Sequence, residues 1–155
     1  MREESKEMKR IQIRHKDIEQ QLEQYNLEVS KKDHLELLDD KILLINHAPT
    51  LFLHEGKYIP TLQHLLKHSI LKKITVDMGA VKFVVGGADI MRPGIVAIES
   101  EIQKGDPVVI IDVNNKKPLA VGIALFFAAE MQEMKTGKVI KNIHYVGDEI
   151  WKAKE

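Results

Sequence analysis

The sequence of 155 residues predicts an α+β protein with two parts, a small mixed α+β domain followed by a β-rich domain. Glycine use changes abruptly, because only Gly56 of nine glycines precedes residue 79. The second half also contains short β-branched or apolar runs separated by turn residues, a pattern typical of a small barrel. The first half instead mixes helical and strand spacing. We therefore predict one domain over 1–73 and a second over 74–155.

The first half predicts alternating strands and helices. Ile11 and Ile13 alternate with polar residues, as in a half-buried strand. Asp17 can cap a helix that ends near Asn26. The next predicted elements are strands at Leu35–Leu37 and Ile42–Ile45, a hairpin from Leu51–Leu53 to Tyr58–Ile59, and a helix opened by Pro60 with Leu62, Leu65, Leu66 and Ile70 on one side.

The second half predicts strands joined by tight turns. They are Ile95–Ile98, Val108–Val113, Leu119–Phe126 and Val139–Tyr145, with a helix over Ala128–Lys135 before the last. The low aromatic content, 5%, argues against an aromatic platform for stacking RNA bases, so Phe83, Phe126 and Phe127 are predicted to be core residues.

Composition narrows the classes of function. The 23 basic and 23 acidic residues give a formal net charge of zero, which argues against a partner held by a large electrostatic footprint but allows a local basic patch. The absence of cysteine excludes disulfides and thiolate metal sites. The charged segment 1–7 is unlike a signal peptide, and no apolar run reaches the ~20 residues of a membrane helix. We expect a soluble cytoplasmic protein with no membrane partner.

Catalytic chemistry has no support in the sequence. His64 and His68 are four residues apart, the spacing at which two imidazoles can share a metal, but no third ligand is evident and solvated or packed histidines are favoured. Four aspartates beside glycines or at turns are predicted to cap backbone amides rather than to act as acids or bases. They are Asp77, Asp89, Asp106 and Asp148. We predict no catalytic residue, no cofactor and no metal.

The glycine-rich segment from Gly79 to Gly94 fits neither a dinucleotide fingerprint nor a phosphate loop. Two interpretations stay open. The glycines either permit strand crossing in a barrel, or expose the amides of Gly86, Gly87 and Ala88 to a nucleic acid beside Lys82 and Arg92. Further lysines that can extend such a basic edge are Lys135, Lys138 and Lys141.

An ordered set of motifs resembles the PUA domain of pseudouridine synthases and archaeosine transglycosylases. The set is Gly79-Ala80-x-Lys82-Phe83, Gly87-Ala88-Asp89-x-Met91-x-Pro93-Gly94-Ile95, Gly105-Asp106, Ala120-Val121-Gly122, Gly137-Lys138 and His144-Tyr145-x-x-Asp148-x-x-Trp151. The resemblance covers 74–152 and implies a PUA β pseudo-barrel that binds structured RNA, preceded by a small α+β (pre-PUA) domain. The RNA-binding residues it implies are Lys82, Gly86, Gly87, Ala88, Asp89, Met91, Arg92, Pro93, Gly94, Lys138, Lys141 and Tyr145.

The closing His-Tyr-x-x-Asp-x-x-Trp signature, behind a small α+β domain, is most similar to the malignant-T-cell-amplified-sequence family. That resemblance implies a non-catalytic RNA-binding protein of the translation apparatus. Its expected partners are rRNA or tRNA, the small ribosomal subunit and a density-regulated-protein-like partner in trans, in initiation, re-initiation or recycling. The alternative is an accessory RNA-binding subunit of a pseudouridine or archaeosine modification system.

Overall fold

The computed structural model describes residues 8–153. The charged segment 1–7 and the last two residues of the predicted second domain lie outside the described residues. Contacts divide the chain into two compact units, one built from residues up to Pro60 and one from Thr61–Ala153. No helix among the described residues has the length and apolar character needed to cross a membrane.

The first unit is an antiparallel meander with one helix. Its elements are β1 (Arg10–Gln12), α1 (His15–Gln24), β2 (Leu35–Leu38), β3 (Ile42–Ile45), β4 (Ala48–His54) and β5 (Lys57–Pro60). Each strand pairs with the next, giving the order β1-β2-β3-β4-β5. The predicted strand pairs are confirmed, and Asp39 and Asp40 adopt positive φ angles of 55° and 54° in the predicted turn.

The start of α1 differs from the prediction. Arg14 occupies the N-cap position, and Asp17 lies within the first turn. The Asp17 carboxylate is 3.6 Å from the Arg14 guanidinium. Asp17 therefore acts as an acidic residue near the positive end of the helix dipole rather than as its cap.

The second unit is a curled sheet with short helices. Its elements are α2 (Leu62–Leu65), β6 (Lys72–Val76), a 3₁₀ turn (Met78–Ala80), α3 (Val81–Val84), β7 (Ile90–Met91), a second 3₁₀ turn (Arg92–Gly94), β8 (Ile95–Ile98), β9 (Pro107–Asp112), β10 (Pro118–Ala124), α4 (Ala128–Glu133), β11 (Lys138–Tyr145) and α5 (Glu149–Lys152). The strand order is β7-β11-β10-β9-β6-β8. Neighbours are antiparallel except β6 and β9, which run parallel.

Strand alternation separates the two faces of this sheet. Ile74 and Val76 of β6 and Ile110 of β9 belong to the hydrophobic core. Because side chains alternate along a strand, Lys73 and the neighbouring odd-numbered positions of β9 lie on the other face, which we call the outer face. Lys73 pairs directly with Val109 there.

The helix after Pro60 is shorter than predicted. Pro60 ends β5, and the Thr61 hydroxyl caps α2 by accepting a hydrogen bond from the His64 amide at 3.2 Å. The helix stops at Leu65, and Leu66 is exposed, so the predicted apolar stripe does not extend beyond Leu65. Since α2 packs on β10, the division between the compact units falls at Pro60/Thr61, while the predicted domain boundary at 73/74 stays a prediction.

Two of the three phenylalanines predicted to be core residues are on the surface. Phe83 is 60% exposed and Phe127 is 48% exposed, whereas Phe126 packs against the core as predicted. The single turn of α3 buries Val84, which leaves Phe83 pointing outward. Phe127 occupies the N-cap of α4, one residue before the buried Ala128.

Candidate nucleic-acid interface

The glycine-rich segment connects β6 to β8 through several short elements, as its glycines and proline predict. The first 3₁₀ turn begins at Asp77, whose carboxylate accepts a hydrogen bond from the Ala80 amide at 2.9 Å. The chain then forms α3, reverses, pairs as β7 with β11, and enters the second 3₁₀ turn. These reversals bring distant parts of the segment together around one depression.

This depression, which we call the glycine-segment groove, has a volume of about 420 Å³. Its lining is largely apolar. It consists of Asp77, Gly79, Ala80, Phe83, Val84, Ala88, Asp89, Ile90, Met91, Pro93 and Gly94. The structure therefore gathers the predicted site residues Ala88, Asp89, Met91, Pro93 and Gly94 at one place, and leaves the other predicted residues outside the lining.

The groove has an aromatic and cationic edge. Phe83 is 60% exposed and Met91 is 50% exposed, although both are large apolar side chains. The Lys82 ammonium lies 5.1 Å from the centroid of the Phe83 ring, within cation–π distance. An exposed aromatic face beside an exposed lysine is a suitable contact for an unpaired base and its phosphate.

The amides of the glycine loop are not available to a ligand, so the prediction of exposed donors at this loop is wrong. The Gly87 amide donates to the Val84 carbonyl at 3.1 Å, and the Ala88 amide donates to the Phe83 carbonyl at 3.0 Å. With Gly87 at a φ of +93°, this pair of bonds is a Schellman motif that ends α3. The Gly86 amide also bonds to the Phe83 carbonyl, at 3.2 Å.

Gly87 is also needed for a close approach to Tyr145. A Cβ atom at Gly87 would lie 2.9 Å from the Tyr145 Cε1 atom, closer than real Cβ contacts allow. The Tyr145 ring packs against the hydrophobic core. Tyr145, one of the predicted RNA-binding residues, therefore packs between the core and the glycine loop.

Arg92 is engaged in the fold rather than free on the surface. Its Nε donates to the Met131 carbonyl at 2.6 Å, and its Nη1 donates to the Ile95 carbonyl at 3.2 Å. The Arg92 amide donates to the Gly137 carbonyl at 2.8 Å. These bonds tie α4 and the turn before β11 to the start of β8, so Arg92 differs from the exposed Lys82.

Asn142 holds the loop from β11 and was missed by the sequence analysis. Its side-chain amide donates to the carbonyls of Val84 and Ala88, both at 3.0 Å. Its backbone amide donates to the Asp89 carboxylate at 2.9 Å, and the other oxygen of Asp89 lies 3.5 Å from the Lys138 ammonium. Asparagine is disfavoured inside strands, and that was the signal available in the sequence.

The closing motif is a network around a buried histidine. His144 has no exposed surface, and its Nε2 accepts a hydrogen bond from the Leu62 amide at 3.0 Å. Its Nδ1 lies 2.9 Å from the Asp148 carboxylate, so the proton resides on Nδ1 and is donated to Asp148. Asp148 also accepts the amides of Tyr145 and Trp151, each at 2.9 Å.

The pKa of Asp148 reflects two opposing effects. Burial raises the pKa of its carboxyl, but the hydrogen bonds from His144 and the backbone amides outweigh burial and hold that pKa below its usual range. The predicted amide-capping role is confirmed for Asp148 and for Asp77. It is also confirmed for Asp106, which accepts the Gln103 amide at 2.8 Å.

His64 and His68 stack on each other instead of converging on a point. Their ring centroids are 4.5 Å apart with the planes 25° from parallel. Burial, followed by the neighbouring His68, lowers the pKa of His64. Over residues 8–153, no group of three histidine, aspartate or glutamate side chains is arranged to hold a metal ion.

A curled sheet carrying this glycine-rich loop defines a PUA-domain protein. The sequence of residues 72–146 matches the PUA domain family, and that of residues 4–68 matches a family described as a domain of unknown function (DUF1947). A solved structure titled as a PUA domain from Aeropyrum pernix, in complex with tartrate, superposes with a TM-score of 0.79 at 25% identity, covering 94% of this chain and 90% of that one.

Full-length relatives identify the family more closely. A Methanocaldococcus jannaschii protein is 43% identical, with 96% of this chain and 93% of that protein covered. Translation machinery-associated protein 20 of Schizosaccharomyces pombe is 35% identical, with 74% and 68% covered. Malignant T-cell-amplified sequence 1 of Danio rerio is 36% identical, with 74% and 66% covered. The chain belongs to this family of translation machinery-associated and malignant T-cell-amplified-sequence proteins.

Proposed function

We propose that this protein is a non-catalytic RNA-binding protein that contacts RNA of the translation apparatus through the glycine-segment groove. The observation that carries the proposal is the position of Phe83, 60% exposed at the edge of an apolar groove with Lys82 beside it. A large aromatic side chain left in solvent beside a concave surface is typical of a binding site.

The groove is suited to one or two unpaired bases. Stacking of a base on an aromatic side chain contributes about 1–3 kcal/mol and tolerates any base, because every base has a π face. The exposed lysines Lys82 and Lys141, and Lys138 beside Asp89, supply charges for the phosphates. With a formal net charge of zero, the protein makes few phosphate contacts, so its affinity for isolated RNA is modest and falls with salt.

The names of the relatives favour a place in translation. We infer that the protein acts in the cytoplasm on the small ribosomal subunit or on tRNA, in initiation, re-initiation or recycling. We expect a density-regulated-protein-like partner to act with it in trans. Binding to a modification enzyme in place of the ribosomal subunit would instead indicate an accessory role in RNA modification.

The test compares two exposed phenylalanines. Phe83→Ala removes the side chain at the groove, and Phe127→Ala removes one that is 48% exposed but does not line the groove. Co-sedimentation with purified small ribosomal subunits and fluorescence anisotropy with a tRNA transcript measure binding. We expect F83A to weaken binding about tenfold, equivalent to about 1.4 kcal/mol, and F127A to bind as the wild type. Equal binding by the two variants would contradict the proposal.

A further inference from the structure

A second depression lies in the same unit, away from the glycine-segment groove. It has a volume of about 270 Å³ and is formed by the chain after α2, the start of β6, β9 and the turn that follows β9. Lys67, Lys73 and Lys116 line it, with His68 beside them. We call it the lysine cavity.

The backbone fixes the position of these cations. Val109 and Ile111 form the apolar floor on the outer face of the sheet, and Lys73 pairs directly with Val109. Lys116 lies in the turn after β9 with a positive φ of 54°. That turn is held by Asp112, whose carboxylate accepts the amides of Asn115 at 2.9 Å and Lys117 at 2.8 Å. These hydrogen bonds to Asp112 fix the backbone position of Lys116.

The charged side chains that line the lysine cavity are all basic. No aspartate or glutamate is among its lining residues. Within the part of the chain that the structure describes, none of its three ammonium groups is in an ion pair. Two carboxylates accept backbone amides at or beside cavity residues: Glu99 accepts the Lys73 amide at 2.6 Å, and Asp112 accepts the amides on either side of Lys116. The chain as a whole has no net charge, so three lysines around one cavity form a local positive patch. Such a patch favours an anionic ligand.

We propose that the lysine cavity binds a phosphate of the RNA backbone and is a second RNA contact of this domain. The inference rests on the proposed function, since it takes the occupant to be the same RNA. Lysine is a point charge that binds phosphate without reading the base, so the contact positions the RNA and carries no sequence preference.

The geometry of β6 supports one RNA for both sites. Lys73 lines the lysine cavity near the start of β6, and Asp77 lines the glycine-segment groove just after its end. Four residues of strand separate their Cα atoms by about 13 Å. At the rise of about 3.4 Å per nucleotide of a stacked strand, that distance is on the order of four nucleotides. This span sets about four nucleotides as the shortest strand that would join the two sites.

The first test separates backbone from base recognition. The full chain labelled with ¹⁵N is titrated with a ten-residue oligouridine, with an abasic ribose-phosphate strand of the same length, and with a ten-residue polyglutamate peptide. We expect the amides of Lys67, His68 and Lys116 to shift with both phosphate strands. The amides of Gly87 and Ala88 should shift more with oligouridine than with the abasic strand, because only oligouridine supplies bases to stack on Phe83. Absence of shifts at the lysine cavity, or equal shifts with polyglutamate, would overturn the phosphate assignment, whereas a silent groove would overturn only the proposed function.

A second test uses the salt dependence of binding. Lys67→Ala combined with Lys116→Ala removes two cavity cations, and Lys104→Ala combined with Lys152→Ala removes two exposed lysines that do not line it. Binding to oligouridine is measured by anisotropy from 50 to 200 mM salt. We expect the cavity variant to reduce the slope of log K against log salt by about 0.7–1.4, and the control to leave it unchanged. Equal slopes for the two variants would refute the second contact.

Discussion

The His144 imidazole lies 2.9 Å from the Asp148 carboxylate, so the spacing of four residues in the closing motif corresponds to a direct hydrogen bond. His144 ends inside the core and receives the Leu62 amide on its other nitrogen. Asp148 is the N-cap of α5. The two hydrogen bonds of the His144 ring, together with the Asp148 N-cap, therefore connect α2, β11 and α5, and the closing motif is a structural one.

Asp148→Asn tests this network. The substitution removes the negative charge that strengthens the hydrogen bonds from the His144 ring and the amides of Tyr145 and Trp151. It also places the asparagine NH₂ group against one or more of these donors. We expect the free energy of unfolding to fall by about 1–3 kcal/mol. Asp106→Asn is the matched control, because Asp106 caps a turn through the Gln103 amide without a buried histidine partner. Urea denaturation of both variants decides the matter, and a smaller loss for D148N than for D106N would contradict the network.

The same carboxylate makes stability depend on acid pH. The pKa of Asp148 is lowered in the folded protein, so its contribution to stability is present above the unfolded value of about 3.9. It is lost as pH falls through the lower folded pKa. We expect the free energy of unfolding of D148N to depend less on pH below about 4 than that of the wild type. Urea titrations from pH 2 to pH 6 measure this, and parallel acid profiles would exclude the effect.

Local signals were sufficient to predict most strands and the class of the fold. The run Ile95–Ile98, bounded by turn residues, has the same bounds as the observed β8. The Asp77 and Asp148 caps were likewise predicted from their positions at turns. Such features depend on a few neighbouring residues, and the sequence contains all of them.

The roles of individual site residues depend on contacts between distant segments. Arg92 donates to a carbonyl 39 residues away, and the Leu62 amide meets an imidazole 82 residues away. No periodicity or spacing predicts such pairs. The surface position of Phe83 was missed for a related reason, because a helix of one turn has too few residues for its buried face to appear as a repeat.

Gly87→Ala tests the close approach to Tyr145. At Gly87 the new Cβ would be strained by a φ of +93° and would contact the Tyr145 ring. At Gly105 a Cβ would meet only the strain of a φ of +92°, with nothing within 4 Å. G105A therefore reports the backbone cost alone, about 1 kcal/mol, and we expect G87A to cost about 1–3 kcal/mol more. Thermal and urea unfolding measure both. Similar losses for the two variants would show that Tyr145 yields without cost.

Arg92→Lys tests whether Arg92 serves the fold. Lysine keeps the charge but loses the planar donors that bond to the carbonyls of Met131 and Ile95. We expect a loss of about 1–2 kcal/mol in the free energy of unfolding. Lys82→Arg, at an exposed position, is the control and should change stability by less than about 0.5 kcal/mol. A stable R92K variant with weakened RNA binding would instead assign Arg92 to the interface.

Asn142→Asp tests the clamp on the glycine loop. A carboxylate replaces the amide that donates to the Val84 and Ala88 carbonyls, so two attractive contacts become repulsive. We expect the loop over 85–89 to open, and the amides of Gly87 and Ala88 to exchange with deuterium at least tenfold faster. The core amide of Ile110 serves as the internal reference, because it reports global unfolding. If all three amides accelerate equally, the substitution has destabilised the whole domain and Asn142 does not act locally on the loop.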